Sequence, residues 1–368
     1  MPNSVIKCVL ILICAFSMSA YSKTVKIIAH RGVPSLAPEN TLSSFKKAIE
    51  LNADYYELDV WYSRDDSLMV IHDPTVNNTT NDTGKVNNLT YWELKKLDAG
   101  SWFNKKFSGE RIPTLYETLL LAKESVNKIR VCIHIVETRN SVVGRIINLV
   151  KEMNMEDQVI LMCFEYDKLG LAKQLAPEIK TLWLLPEPVS KGMIEKCISN
   201  KVDVLGARPE DIISQEMMDT VHQNKLEVWK WTVDDPNEMR RLIKVGADGI
   251  ITNFTQVLQQ ILQSATNTNS PFNGPARFGL EQNYPNPFNQ STIIQFDVPE
   301  KGHCTITVFN IQGQKVRELL NRDYEAGIYI VPFNAKDLSS GDYFYSIDFK
   351  SADNSVSKII TKKMVLLK

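Results

Sequence analysis

The sequence predicts an α/β fold: a (β/α)8 barrel of the TIM class with a hairpin insertion, followed by a small all-β, immunoglobulin-like sandwich. Three observations support this prediction. Apolar strand-like segments alternate with helix-like segments as far as residue 262, one pair of strands is joined by a very short turn, and only strand-like segments follow residue 278.

The first part of the chain contains one strand-like segment more than an eight-stranded barrel needs. The apolar segments are residues 25–30, 54–60, 68–71, 129–136, 158–163, 179–185, 202–206, 226–232 and 248–252. Residues 64–67 are too short a connection for parallel neighbours, which need a crossover of about a dozen residues or more. The second and third segments are therefore predicted to form an antiparallel hairpin, which leaves eight barrel strands. Helical patterns at residues 41–51, 115–125, 141–153 and 236–245 separate several of them.

The composition divides the chain into four predicted segments. They are a signal peptide at residues 1–22, the barrel at 23–262, a polar linker at 263–277 and the sandwich at 278–368. Within the barrel, residues 74–113 are predicted to be an insertion that covers part of the barrel mouth. The sandwich is predicted from strands at residues 292–298, 304–310, 329–334, 343–350 and 357–366, with turns marked by Gly313, Gly327 and Gly341. No barrel strand remains for the sandwich to supply, so the barrel is predicted not to need the sandwich to bury its core.

The N-terminal segment indicates export. Lys7 supplies a positive charge, residues 9–16 are apolar, and small residues follow at positions 17, 19, 20 and 22. The apolar run is too short to span a membrane, so an integral membrane protein is not expected. The net charge of −1 without a basic stripe gives no indication of nucleic-acid binding. The cysteines after this segment are few and scattered, which favours buried free thiols over a disulfide framework.

Polar side chains with catalytic potential are concentrated between residues 27 and 73, at the ends of apolar strands. They are His30, Arg31, Glu57, Asp59 and His72. Side chains two apart in a strand point to the same face, so Glu57 and Asp59 can enter one pocket, where two carboxylates favour a divalent cation between them. Together with an arginine for an anion and two histidines for proton transfer, these groups meet the requirements of phosphodiester hydrolysis.

Several short motifs resemble the glycerophosphodiester phosphodiesterases. They are His30-Arg31-Gly32, Pro38-Glu39-Asn40-Thr41, Glu57-Leu58-Asp59-Val60, His72-Asp73, Gly84-Lys85-Val86, Leu89-Thr90, Ile112-Pro113-Thr114-Leu115, Trp231-Thr232-Val233 and Gly246-Ala247-Asp248-Gly249-Ile250-Ile251-Thr252-Asn253. The resemblance covers roughly residues 25–258. It implies catalytic roles for His30 and His72, a phosphate contact for Arg31 and one divalent metal ion, calcium or magnesium. Which histidine is acid and which is base stays open. Trp231 is predicted to wall the substrate pocket, with a core tryptophan as the alternative.

The third barrel strand departs from that family. The family has Glu, a hydrophobic residue and Lys, where this chain has His134, Ile135 and Val136. His134 is therefore predicted to join Glu57 and Asp59 as a metal ligand, which makes zinc or manganese possible. Glu137 lies nearby, but strand alternation should point it away from His134. Either Arg139 and Arg208 replace the missing lysine, or the site is weakened.

The last segment resembles the C-terminal sorting domains that the bacterial type IX secretion system reads. The matching residues are Leu280-Glu281-Gln282-Asn283-Tyr284-Pro285-Asn286-Pro287-Phe288-Asn289, residues 310–316, Ala326-Gly327, residues 338–343 and Thr361-Lys362-Lys363-Met364. The alternative is a carbohydrate-binding or adhesive sandwich. The sequence thus predicts a secreted enzyme, extracellular or on the outer cell surface by way of the periplasm, that hydrolyses glycerophosphodiesters to glycerol 3-phosphate and an alcohol. A phospholipase-type enzyme on the same barrel, or a catalytically weakened surface binding protein, are the alternatives.

Overall fold

The structure, a computed structural model, describes residues 25–211, 213–266, 277–289, 291–353 and 355–367. The predicted signal peptide and much of the predicted linker lie outside the described residues. Among the residues that are described, no helix is long and apolar enough to cross a membrane.

A closed ring of parallel strands forms the first domain, as the sequence predicted. Its strands and the associated hairpin strand are β1 (Lys26–Ala29), β2 (Tyr55–Tyr62), β3 (Leu68–Val70), β4 (Arg130–Ile135), β5 (Val159–Cys163), β6 (Lys180–Leu184), β7 (Val204–Ala207), β8 (Glu227–Lys230) and β9 (Gly249–Thr252). The sheet order is β1-β9-β8-β7-β6-β5-β4-β2-β3, and β1 also pairs with β2, which closes the ring. Only β3 runs antiparallel in this ring sheet; it pairs with β2 and forms the predicted hairpin.

Helices surround the ring and complete the barrel. They are α1 (Leu42–Glu50), α2 (Tyr91–Lys96), α3 (Leu115–Glu124), α4 (Ser141–Glu152), α5 (Tyr166–Leu175), α6 (Lys191–Ser199), α7 (Gln215–Gln223), α8 (Pro236–Lys244) and α9 (Thr255–Thr266). Helix α2 is the exception, because its buried Leu94 packs in a separate small core and not on the ring. Helix α3 begins with a capping box in which Thr114 and Glu117 satisfy each other's backbone amides. In α4, the buried side chains recur at helical spacing, so one apolar face packs on the sheet. The last turn of α9 lies inside the segment predicted as linker.

The side chains of each barrel strand alternate between two apolar faces. One set of side chains fills the interior of the ring, including Ile28, Tyr55, Cys132, Trp229 and Ile251. The neighbouring positions pack outward against the helices. Side chains two residues further along these strands point the same way as the interior set. This places the side chains of residues 30, 57, 59, 134, 231 and 253 at the carboxyl end of the ring.

The segment between β3 and α3 packs around its own small core. This core contains Met69, Ile71, Val76, Val86, Leu94, Leu97, Ala99 and Ile112. Trp61 of β2 packs against it, and the Trp61 indole N–H donates to the backbone oxygen of His72 at 2.9 Å. The insertion therefore stands beside the ring and is fixed to it mainly through β2.

The C-terminal domain is a two-sheet sandwich. Its strands are β10 (Gly279–Leu280), β11 (Ser291–Val298), β12 (Gly302–Asn310), β13 (Lys315–Tyr324), β14 (Gly327–Asn334), β15 (Gly341–Ser351) and β16 (Ser357–Leu366). The sheet orders are β10-β11-β14 and β13-β12-β15-β16. Apolar side chains from both sheets share one core, including Phe296 from the first sheet and Ile306 and Phe349 from the second. Strands β10 and β13 are additions to the strands that the sequence predicted.

The two domains are in contact with each other. Ile293, Ile328 and Ile330 of the three-stranded sheet pack against the outer core of the barrel. The backbone N–H of Ile328 donates to Gln260 Oε1 of α9 at 3.2 Å. The sandwich therefore covers one face of the last barrel helix.

All four cysteines in the described residues are free and buried, as predicted. Burial raises the pKa of Cys163 to about 11 and that of Cys197 and Cys304 to about 12. These thiols consequently carry little of the reactive thiolate at neutral pH.

Candidate active site

Three metal-ligating side chains meet at the carboxyl end of the ring. Glu57 and Asp59 lie on β2, and the register of the β2–β4 pair places Asp59 opposite His134. His134 Nδ1 lies 2.8 Å from Asp59 Oδ1 and 3.8 Å from Glu57 Oε1. One ligand atom from each of the three residues falls within 4.8 Å of the others. The structure thus brings together the three residues predicted to hold a metal.

The charges of this cluster favour a bound cation. Both carboxylates are almost fully buried. Burial and the neighbouring Asp59 raise the pKa of Glu57 well above its usual value. Burial opposes ionisation of Asp59 as well, but the hydrogen bond from His134 and the charge of Arg31 outweigh it and hold the Asp59 pKa far below its usual range. Glu57 Oε1 has no hydrogen-bond partner. A divalent cation would satisfy this oxygen and the paired carboxylates, so the residues fit a metal ion.

Arg31 is held beside the cluster by a strained loop. Its backbone lies in the left-handed region at φ 52°, and its N–H donates to Glu57 Oε2 at 2.8 Å. The guanidinium donates to Glu39 Oε1 at 2.8 Å, and its Nε lies 3.5 Å from Asp59 Oδ2. Gly32 follows at φ 85°, where a Cβ would come within 2.3 Å of Ser44 Oγ. Only glycine allows this close approach of the loop to α1.

Two asparagines orient the neighbouring charged and basic groups. Asn40 Nδ2 donates to Asp59 Oδ2 at 2.9 Å, so Asn40 directly contacts a residue of the metal cluster. Asn253 follows β9, and its Nδ2 donates to Asp234 Oδ2 at 2.6 Å. This bond turns the Asn253 amide oxygen toward His30, whose Nδ1 lies 2.7 Å from it. His30 therefore carries its proton on Nδ1 and presents Nε2 as an acceptor.

The two predicted catalytic histidines have different environments. Burial and the charge of Arg31 lower the pKa of His30 to about 3. His72 follows β3 and donates from Nδ1 to Asp73 Oδ1 at 2.8 Å. Burial alone would lower the pKa of His72, but the bond to Asp73 and the charge of Asp59 outweigh it and raise that pKa above its ordinary value. His30 is therefore neutral near pH 7, whereas His72 is biased toward the protonated form.

Two aromatic rings lie next to the metal cluster. Trp231 follows β8, is partly buried, and packs against the interior core of the ring. The exposed ring of Phe164 lies edge-to-face on Trp231 at 5.3 Å and 5.8 Å from the His134 ring. The Trp231 indole nitrogen has no hydrogen-bond partner. Phe164 and Trp231 thus form an apolar surface beside the polar groups, and the substrate contact of Trp231 stays a prediction.

The residues near the missing lysine have other partners. Glu137 points away from the cluster, as alternation predicted, because its carboxylate accepts from the backbone of Tyr62 and from Arg139. Arg139 also pairs with Asp66, and Arg208 pairs with Asp211. Neither arginine is therefore placed as a substitute for the lysine that Val136 replaces.

The comparison with protein families decides the class of this barrel. The profile of the glycerophosphoryl diester phosphodiesterase family matches residues 30–257. The chain belongs to this family. A second profile, described as a secretion system C-terminal sorting domain, matches residues 282–362 and identifies the sandwich as a sorting domain of the type IX kind.

Individual relatives agree with the family. The chain is 39% identical to a glycerophosphodiester phosphodiesterase of Caldanaerobacter subterraneus, over 64% of this chain and 97% of the relative. It is 31% identical to a glycerophosphodiester phosphodiesterase of Bacillus altitudinis, over 62% of this chain and 94% of that protein. A phosphodiesterase of Oleispira antarctica, solved in complex with the product sn-glycerol-3-phosphate, has a TM-score of 0.61 at 26% identity, covering 66% of this chain and 98% of its own.

Sequence reasoning missed four partners within this family site. Asn253 and Asp73 orient the two histidines, Glu39 pairs with Arg31, and Phe164 extends the apolar surface. Asn253 and Asp73 both lie in motifs that resemble the family. Asn253 directly follows a strand and Asp73 directly follows His72, and these positions could have indicated that they orient the histidines. Phe164 carried no such signal, because a single aromatic residue after a strand is common.

Proposed function

We propose that the chain is an exported, metal-dependent phosphodiesterase that hydrolyses glycerophosphodiesters to glycerol 3-phosphate and an alcohol. The observation that carries this proposal is the convergence of a buried acidic cluster, a guanidinium and two differently partnered histidines at one end of the ring. The printed names of the relatives, and the Oleispira complex with sn-glycerol-3-phosphate, support this substrate class.

Glu57, Asp59 and His134 would hold one divalent metal ion. When bound, the ion supplies positive charge that stabilises the developing charge on the phosphate. Family resemblance favours calcium or magnesium, whereas an imidazole ligand makes zinc or manganese possible. Arg31 would bind phosphate oxygens, for which a planar guanidinium is well suited. Trp231 would contact the apolar part of the substrate.

The hydrogen bonds of the two histidines support different roles for them in this proposal. His30 would act as the general base, because its Nδ1 is committed to Asn253 and its Nε2 is free to accept a proton. His72 would act as the general acid, because Asp73 stabilises its imidazolium form. His30 would deprotonate either water or the neighbouring glycerol hydroxyl, and His72 would protonate the leaving alcohol. The second route passes through a cyclic phosphate.

The proposed function is tested by offering the purified chain a panel of glycerophosphodiesters with and without a chelator. The expected result is release of glycerol 3-phosphate that stops on chelation and returns with a divalent metal. Binding of glycerophosphodiesters without turnover would instead favour the weakened binding protein, for which Val136 in place of the family lysine is the specific observation.

His134→Ala is expected to lower both metal content and activity, because His134 supplies one of the three ligand atoms. Elemental analysis of the purified variant, alongside the activity assay, makes the measurement. His222→Ala is a matched control, since His222 pairs with Asp248 away from the cluster. Full metal content with full activity in His134→Ala would show that His134 is only a packing residue.

Removal of the sorting domain is expected to stop delivery beyond the outer membrane. The signal peptide would take the chain across the inner membrane, and the sandwich would then direct it to the surface or the medium. A chain ending near Gln263 should therefore accumulate in the periplasm of the native host, as measured by cell fractionation. Normal surface delivery of the truncated chain would contradict the sorting role.

A further inference from the structure

A tyrosine of the sorting domain contacts a loop beside the candidate active site. Tyr284 lies between β10 and β11 in the segment that resembles the opening of sorting domains. Its backbone N–H and C=O are both bonded to Ile293 at 2.9 Å, so the residue is anchored in the sandwich. Its phenolic O–H nevertheless donates across the domain boundary to Glu39 Oε2 at 2.9 Å. The contact links a fixed point of one domain to a loop of the other.

Glu39 transmits this contact to Arg31. Its two carboxylate oxygens have different partners, because Oε2 accepts from Tyr284 and Oε1 accepts from Arg31 Nη1 at 2.8 Å. The side chains of Arg31 and Glu39 are only 17% and 11% exposed. Hydrogen bonds to charged groups are among the stronger ones in proteins, so the phenol restricts where Glu39, and with it Arg31, can lie.

The same domain contact forms a groove that opens on Arg31. The groove has a volume of about 860 Å³. It is lined from the barrel side by Arg31, Glu39 and Asp73, and from the sandwich side by Tyr284, Phe288 and Leu367, among others. The packing of Ile293 and Ile328 on the barrel holds the sandwich at this position from a second point. Two separate contacts therefore fix the wall of the groove.

We propose that Tyr284 is a positioning residue of the phosphodiesterase site: it orients the phosphate-binding Arg31 through Glu39, and the docked sorting domain is thereby part of the substrate site. The proposal rests on the proposed function, in which Arg31 contacts phosphate. Among the described residues, the Tyr284 hydroxyl bonds to Glu39 and not to the metal cluster or the histidines, so its effect should fall on phosphate binding more than on the chemical step.

The test compares four variants of the full chain with the parent: Tyr284→Phe, Glu39→Gln, the double variant and Tyr343→Phe. Tyr343 is the matched control, because its O–H bonds to the backbone of Ser339 within the sandwich. Three quantities are measured for each variant: kcat and KM for glycerophosphocholine, and the dissociation constant of glycerol 3-phosphate by calorimetry. Thermal unfolding shows that each variant is folded.

Tyr284→Phe is expected to raise KM and the dissociation constant by roughly 3–10-fold with kcat within about two-fold, as for loss of one uniform binding contact. The double variant should match Glu39→Gln, because the phenol acts through that carboxylate. Tyr343→Phe should equal the parent.

Three results would overturn the inference. They are parental KM and affinity in Tyr284→Phe, additive effects in the double variant, or a lower KM, which would mean that the contact is inhibitory. Failure of the proposed function is distinguishable: the parent would then show no turnover, while weaker glycerol 3-phosphate binding by Tyr284→Phe would still support the positioning role. A parent that neither turns over substrate nor binds glycerol 3-phosphate would overturn both.

Discussion

Replacing either His30 or His72 by alanine is expected to lower kcat by about 10²–10⁴-fold, the usual contribution of general acid or base catalysis. The His30→Ala variant lacks the acceptor nitrogen of the imidazole that Asn253 orients. The His72→Ala variant lacks the imidazolium proton that Asp73 stabilises. Neither side chain belongs to the apolar cores, so the fold should persist. Steady-state kinetics with glycerophosphocholine and circular dichroism make the two measurements.

His303→Ala is the matched control for these variants. His303 lies on an exposed face of the sandwich and bonds to Asp323 and Asn321. The control should retain parental kinetics. If His30→Ala or His72→Ala kept activity within a few-fold of the parent, that histidine would not be a proton-transfer group.

Glu57→Gln and Asp59→Asn are expected to lose bound metal and activity together. Each removes a charged ligand from a buried cluster, and activity should fall to near background because the phosphate loses its principal source of positive charge. Elemental analysis and the phosphodiesterase assay give the readout. Glu137→Gln is the control, since Glu137 is an equally buried carboxylate that bonds to Arg139 and faces away from the cluster.

The metal-free protein should also respond to Glu57→Gln in its stability. A raised carboxyl pKa means that the folded state holds its proton more tightly than the unfolded state, whose pKa is near 4.5. The contribution of Glu57 to folding therefore becomes less favourable as the pH rises above about 4.5. Thermal unfolding of the metal-free proteins should show this decline in the parent relative to Glu57→Gln. Added metal should reverse it in the parent, and Glu57→Gln should respond less to metal. An unchanged metal response in Glu57→Gln would exclude Glu57 as a ligand.

The ring and its hairpin were predictable because their signals are local. Eight apolar segments with helical patterns between several of them, together with one turn too short for a crossover, left the hairpin as the consistent topology. The shared inward face of Glu57 and Asp59 followed from strand periodicity alone. That Glu137 points away followed from the same rule, and the structure bears it out.

Strand β13 was not predictable by the same means. Its sequence, Lys315–Tyr324, lacks alternation of apolar and polar residues, and most of its side chains are exposed or half-buried. Two register shifts in its pairing with β12 also break the two-residue period along the strand. Its strand conformation is therefore set by pairing with β12, which a single segment of sequence does not display.

The contacts that complete the site depend on distant parts of the chain. His30 and Asn253 are 223 positions apart, and Glu39 and Tyr284 are 245 apart. Motif resemblance placed the residues in the right family, but only closure of the ring and docking of the sandwich bring these partners within hydrogen-bond distance. Alternation within one strand contains no information about either event.

The site is divided between two regions, the ring and the hairpin that carries His72, and these regions can differ in their free energy of local unfolding. The metal cluster stands on the closed ring, whereas His72 precedes an insertion that packs around its own small core. Regions with separate cores can open at different free energies, which hydrogen exchange resolves amide by amide. Amide hydrogen exchange should accordingly be faster in residues 74–113 than in β2. A fluctuation of that kind would withdraw the proton donor while the acidic cluster stays assembled, so catalytic competence would be lost on warming before the barrel itself unfolds.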